Sequence, residues 1–361
     1  MEIIPAVRAA KKWSWPKRIL VSLLILGAFL FLLWQYIHLP NYWDDAEIND
    51  ADLMMVIPPL APAVDNAATY TSIQGNISDS DADILGRVPV YEEGVFIRDG
   101  EVMSDTVLRA YAVESRVLAD DFVTGSKARV YQCPLSHGKN SYYSESCSLM
   151  VLRQYGMLVA FQAQYYAVIG DYERASVYAD SLLRFGSLVA NQAVPFALID
   201  FFVGTALSEQ GLSILENNPS LVPLVKGRLV TYQISDEALV NAFKSEYQSI
   251  KGLVIDGMVV TNDDGTVFST YYHQPYRTIN TIAEMWRENI RNVSTECGTV
   301  IDNSKWDAYE EARINESALG YLLKPNYTGR VLIYSVMASA GTIREKRCDI
   351  NSRLDALASY N

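Results

Sequence analysis

Four cysteines, three histidines and a few close-set acids are the residues of this chain whose chemistry could go beyond packing. Cys133, His137 and Cys147 share one polar stretch and offer two thiolates and an imidazole, three of the four donors that a tetrahedral zinc site needs. Their Cys-x3-His spacing lacks the close cysteine pair of a zinc knuckle. A loop closed by a disulfide fits the stretch better, because the chain between the two cysteines is polar and broken by Gly138. Four cysteines allow three connectivities. The pairing expected here is Cys133 with Cys147 and Cys297 with Cys348.

Other spacings carry weaker chemistry. Ser136 and Lys139 stand at Ser-x-x-Lys spacing, that of nucleophile and base in penicillin-binding enzymes. That chemistry needs both side chains on one helix face, whereas Gly138 and the flanking cysteines argue for a loop; Lys226-Gly227-Arg228 only echoes the Lys-Thr-Gly that accompanies it. Asp79, Asp81 and Asp83 alternate like the start of a calcium loop, but Ile84 stands where the loop needs glycine, so a solvated acidic turn is expected. Asn76, Asn292, Asn315 and Asn326 each begin an Asn-x-Ser/Thr sequon, which has meaning only in a eukaryotic secretory host. Glu284, Arg287 and Glu288 beside Trp286 read as a solvated helix face with paired charges. No catalytic, metal-binding or cofactor-binding set is assigned, and only His137 and His273 lie outside the apolar N-terminal run.

That run is the strongest signal in the chain. From Ile19 to Leu39 there is no Asp, Glu, Lys or Arg, and about twenty apolar residues at 1.5 Å rise cross a hydrocarbon core of roughly 30 Å. Lys11, Lys12, Lys17 and Arg18 precede it, and Asp44, Asp45, Glu47, Asp50 and Asp52 follow, so the positive-inside rule leaves the N-terminus cytoplasmic. A cleaved signal peptide would need small residues after its apolar region, where Trp34, Gln35 and Tyr36 stand instead. The expected organisation is a basic cytoplasmic tail (1–18), a transmembrane anchor (19–39), an acidic, Pro-rich linker (40–63) and an exported, mostly helical domain (64–361) in the plasma, or inner, membrane.

Charge narrows the partners. The formal net charge is −12 over 361 residues, and beyond Pro40 there are 25 basic and 41 acidic groups. Such a field repels phosphate backbones, so no nucleic-acid partner is expected.

The exported part reads as mainly α with a few short strands. Arg87–Tyr91 and Gly94–Ile97 are β-branched runs with Asp99-Gly100 behind them, either small strands or irregular covering. Leu149–Val168 and Tyr172–Phe185, parted by Gly170-Asp171, form a helical hairpin with some likeness to a single tetratricopeptide unit, without a second copy. Pro195–Glu216 is a further apolar helix, and Ser235 caps another whose stripe is Leu239, Ala242, Phe243, Tyr247 and Ile250. Val259–Val260 and Val267–Phe268 flank Asn262–Gly265 as a candidate hairpin. A helix resumes at Thr278 with Ile279, Ile282, Ala283, Trp286 and Ile290 on one face, and Ile343, Ile350, Leu354 and Leu357 mark the last.

Several segments carry a resemblance: Asn241–Tyr247, Gln274–Asn280 entering a helix, Gly329–Ser335, Asp349–Leu354 and Asp65-Asn66-Ala67. Together with the apolar start they resemble an uncharacterised bacterial family of N-terminally membrane-anchored, helical envelope proteins. The family's usual Pro-Asn-Arg-Thr is here Pro275-Tyr276-Arg277-Thr278. The resemblance implies helical architecture and envelope placement and carries no activity.

The function expected is therefore an extracytoplasmic interaction or assembly component, held by a single membrane pass and meeting a protein partner in the envelope. Two alternatives stand beside it: an envelope hydrolase acting on cell-wall or glycan material, and a tethered solute-binding module.

Overall fold

A computed structural model describes residues 15–38, 43–55, 61–69, 77–132, 149–191, 198–255, 274–315 and 340–360, with positions 326, 330 and 333. Helix α1, Trp15–His38, is apolar from Ile19 onward, with Leu24, Phe29 and Leu32 about 60% exposed or more. It is long and apolar enough to cross a membrane.

After a short helix α2, Asp79–Gly86, comes a three-stranded antiparallel meander, β1 Val90–Glu92, β2 Val95–Arg98 and β3 Glu101–Val102. Of the first β-branched run only Val90 and Tyr91 lie in a strand, whereas Val95–Ile97 of the second all do. Both turns carry two residues at positive φ, Glu93-Gly94 and Asp99-Gly100, the pattern that lets a two-residue turn follow the strands' twist. Phe96 is the inward side chain of β2, its ring 5.4 Å from that of Phe161.

The body of the domain is helical. Helix α3, Asp105–Gly125, lies on α4, Leu149–Val168, and α4 turns into α5, Tyr172–Ala190, as the hairpin spacing predicts. Gly170 makes that turn at φ +83°, and the Asp171 carboxylate accepts the Arg174 amide at 3.2 Å to cap α5.

Helix α6, Leu198–Asn217, packs on α5 through glycine. A Cβ on Gly204 would stand 2.7 Å from the Gly186 carbonyl oxygen, and one on Gly186 would stand 2.6 Å from that of Gly204. Helix α6 is also long and apolar enough to span a membrane, but 61% of that stretch is buried inside the domain, so its apolarity is that of a core helix.

A single-turn helix α7, Val222–Val225, and a 3-10 stretch, Lys226–Tyr232, lead into α8, Asp236–Ile255, which pairs with α9, Pro275–Val293. Ser235 caps α8 as expected, its hydroxyl accepting the Ala238 amide at 3.1 Å. The stripe of α9 is buried at Ile279, Ile282, Ala283 and Trp286. Helix α10, Ser304–Ile314, follows, and the last helix, α11, Ala340–Ser359, buries Ile343, Ile350, Leu354 and Leu357 against α6, α9 and the 3-10 stretch.

Candidate functional site

A heavily bonded polar cluster among the described residues lies along α8 and α9, and its other half is the acidic segment that follows α1. Helix α9 begins with a defect: Pro275 is its first residue, Gln274 supplies no side-chain cap, and its first turn holds no acid. The orphan amides of such a terminus need an acceptor, and its dipole favours an anion. Asp44 supplies both from 232 residues away, accepting the amides of Tyr276 at 2.7 Å and Arg277 at 2.9 Å.

The contacts then run residue by residue down the segment. Arg277 turns its guanidinium onto Asp45 at 2.9 Å and onto Gln274 Oε1 at 2.8 Å, and Gln274 Nε2 donates to the Trp43 carbonyl at 2.6 Å. Asn280 donates to the Ala46 carbonyl at 2.9 Å. Lys251 of α8 bridges Glu47 and Asp50, 2.8 Å from each, and the Tyr247 hydroxyl donates to Asp50 at 2.6 Å. Arg287 holds Asp52 with two nitrogens, each at 2.8 Å. Leu53, buried, closes the row. A segment expected to be an acidic, Pro-rich linker is, over residues 43–55, a strap clasped to the domain. Pro58 and Pro59 lie outside the described residues.

The electrostatics of the clasp follow from this geometry. Burial alone would raise the Asp50 carboxyl, but hydrogen bonds from Lys251 and Tyr247 and the lysine's charge outweigh it and hold Asp50 below its ordinary value. Asp52 is lowered chiefly by its hydrogen bond from Arg287. Groups with depressed native pKa values stabilise fully above their unfolded pKa and lose that contribution as pH falls through the native one. The strap should therefore be closed at neutral pH and lose these contacts only as pH falls below the ordinary carboxylate range, through the lowered pKa values of Asp50 and Asp52. Digestion by an acid-active protease should accordingly show cleavage within residues 43–53 appearing only in strong acid, before cleavage of α4 or α5.

Among the described residues, those with possible chemistry do not gather into one site. Cys297 and Cys348 form a disulfide with Cα atoms 5.8 Å apart, tying the turn after α9 to α11. Cys133, Cys147, Ser136, His137, Lys139 and His273 lie outside the described residues, as does the candidate hairpin at 259–268. Asp79, Asp81 and Asp83 sit on α2, where the Ser78 hydroxyl accepts the Asp81 amide at 3.2 Å, so the acids belong to a capped helix start. Two sequon asparagines are buried: Asn292 donates to the Asp302 carbonyl at 2.7 Å, and Asn326 accepts the Gln274 amide at 2.9 Å. Glu288, expected on a solvated face, is buried and accepts the Lys305 amide at 3.2 Å at the start of α10. Among the described residues no three His, Cys, Asp or Glu side chains gather as a metal site would require. With alkylation under non-reducing conditions, Cys297 and Cys348 should remain unlabelled, and their peptides should be recovered crosslinked.

Sequence reasoning missed the clasp although its two halves were legible separately. Five acids lie between Asp44 and Asp52, and Arg277, Asn280 and Arg287 recur on one face of α9. Two of the segments of the noted resemblance fall on it as well: Arg277 and Thr278 stand at the start of α9, and Tyr247 holds Asp50. Compared with protein-family models, curated proteins and solved structures, the chain matches none. The resemblance to membrane-anchored envelope proteins therefore rests on those segments alone.

Proposed function

We propose that this is a single-pass membrane protein whose helical domain lies outside the cytoplasm and serves as an interaction or assembly component of the cell envelope. The observation that carries the reading is the clasp. A domain on a free stalk samples a wide volume, whereas here the segment after the apolar helix is fixed to α8 and α9 by at least five carboxylate contacts from Asp44 to Asp52. Such fixing holds a binding face near the bilayer and raises the effective concentration of a membrane-bound partner. The acidic domain, repelled by anionic headgroups, suits a position beside the membrane rather than on it.

Two experiments test the proposal. A reporter active only outside the cytoplasm, fused after Asn361, should be active, and the product should resist carbonate extraction. Activity of a cytoplasm-only reporter at that position, or release of a shortened soluble species, would overturn it. Crosslinking in native membranes should recover the same envelope protein repeatedly, with yield reduced when the clasp is broken.

A further inference from the structure

On a different part of the domain, a cleft of about 570 Å³ opens between the coil after α3, the C-terminal half of α5 and the 3-10 stretch before α8. Each of these elements sends one arginine into it: Arg129, Arg184 and Arg228. In a chain of net charge −12 such convergence runs against composition.

Their existing contacts leave donors over. Arg228 Nε lies 3.2 Å from Asp180, whose carboxylate also accepts the Tyr232 hydroxyl at 2.9 Å. Arg184 donates one nitrogen to the Lys127 carbonyl at 3.2 Å, and Arg129, its side chain 84% exposed, stands 3.8 Å from Asp65. A guanidinium has five N–H donors, and among the described residues each of these contacts engages one nitrogen. Among the described residues Arg129 pairs with Asp65 and Arg228 with Asp180, while Arg184 forms no ion pair, so its positive charge is the one left for a ligand. A monoanion neutralises it, while a dianion would set surplus negative charge before Asp180.

The size and walls of the cleft specify the rest. Its volume falls in the range of roughly 300–1,000 Å³ that holds small ligands rather than the face of a folded partner. Val130, Leu188 and Tyr232 supply apolar lining beside the arginines. We propose that this cleft binds the carboxylate of a small organic monoanion, the size of a short peptide end, in the fork of Arg129 and Arg184, with its apolar body against Val130, Leu188 and Tyr232. The planar fork matches a carboxylate with two parallel hydrogen bonds, which a lysine would not.

The proposal depends on the fold and not on which side of the membrane the domain lies, so its failure and a failure of the topology are separable. The test is a ligand-observed NMR titration of the full-length protein in zwitterionic nanodiscs with N-acetyl-leucyl-alanine, its C-terminal amide and inorganic phosphate. The acid should bind at least about tenfold more tightly than the amide or phosphate, a difference near 1.4 kcal/mol. Arg129→Gln and Arg184→Gln should each weaken the acid by about five- to tenfold and leave the amide unchanged, as expected of charge-assisted hydrogen bonds. Arg109→Gln, on exposed α3 surface outside the cleft, should bind like the wild type. Arg129→Gln keeps the test interpretable if Arg184→Gln disturbs the fold, because Arg129 is almost fully exposed. Equal affinity for acid and amide, tighter binding of phosphate, wild-type affinity in Arg129→Gln, or no binding at all would each overturn the proposal.

Discussion

Gly204→Leu should destabilise the domain by on the order of 3 kcal/mol in denaturant titration, with Gly204→Ala costing about 1 kcal/mol. The reason is the closeness of two backbones. Even a methyl at Gly204 would stand 2.6 Å from the Ala190 nitrogen and 2.7 Å from the Gly186 oxygen. Neither is the end of a flexible side chain, so the α5–α6 pair would have to separate, and with it the packing of Leu183, Ala179 and Gly211. Alanine is a better helix former than glycine by nearly 1 kcal/mol, which offsets part of the clash and separates the two substitutions. The control is Gly27→Ala, where a Cβ meets nothing within 4 Å and stability of the domain should not change.

Lys251→Met should cost about 3 kcal/mol of clasp stability, because it leaves the Asp50 carboxylate buried without its cation. The Asp50 and Lys251 side chains are only 12% and 17% exposed, so solvent replaces little of the lost charge. The remaining hydrogen bond from Tyr247 cannot supply a counter-charge, and the Asp50 pKa should rise from its depressed native value. Adding Asp50→Asn should recover a large part of the loss, since the double variant buries no unpaired charge. Full additivity of the two substitutions in amide-exchange protection of residues 43–53 would count against a direct pair.

How much of this was legible in the sequence depends on range. Gly170-Asp171 announces the α4–α5 turn because both the positive φ and the cap are local, and Ser235 announces α8 for the same reason. The C-terminal stripe Ile343, Ile350, Leu354 and Leu357 is periodic enough to read directly. Helix α3 was not read: its buried face mixes Leu108, Tyr111 and Phe122 with Ala112, Ser115 and Ala119, which blurs the apolar period. The glycines of α5 and α6 look like helix weaknesses until the neighbouring backbone is known. The clasp was the largest omission, because each of its bonds joins residues roughly two hundred apart and its carboxylates look, locally, like any solvated linker. The arginine cleft is hidden for the same reason, since Arg129, Arg184 and Arg228 stand in unrelated sequence contexts.

The central claim, that the segment after α1 is fastened to the domain, is tested most directly by amide hydrogen exchange on the protein in nanodiscs at neutral pH. The amides of Tyr276 and Arg277 should be protected by Asp44, and residues 48–53 should exchange slowly with them. Asp44→Ala should speed exchange at Tyr276 and Arg277 alone, by about fivefold for a lost cap near 1 kcal/mol. Exchange of residues 43–53 at the rate of free coil, with Tyr276 and Arg277 unchanged by Asp44→Ala, would contradict the account.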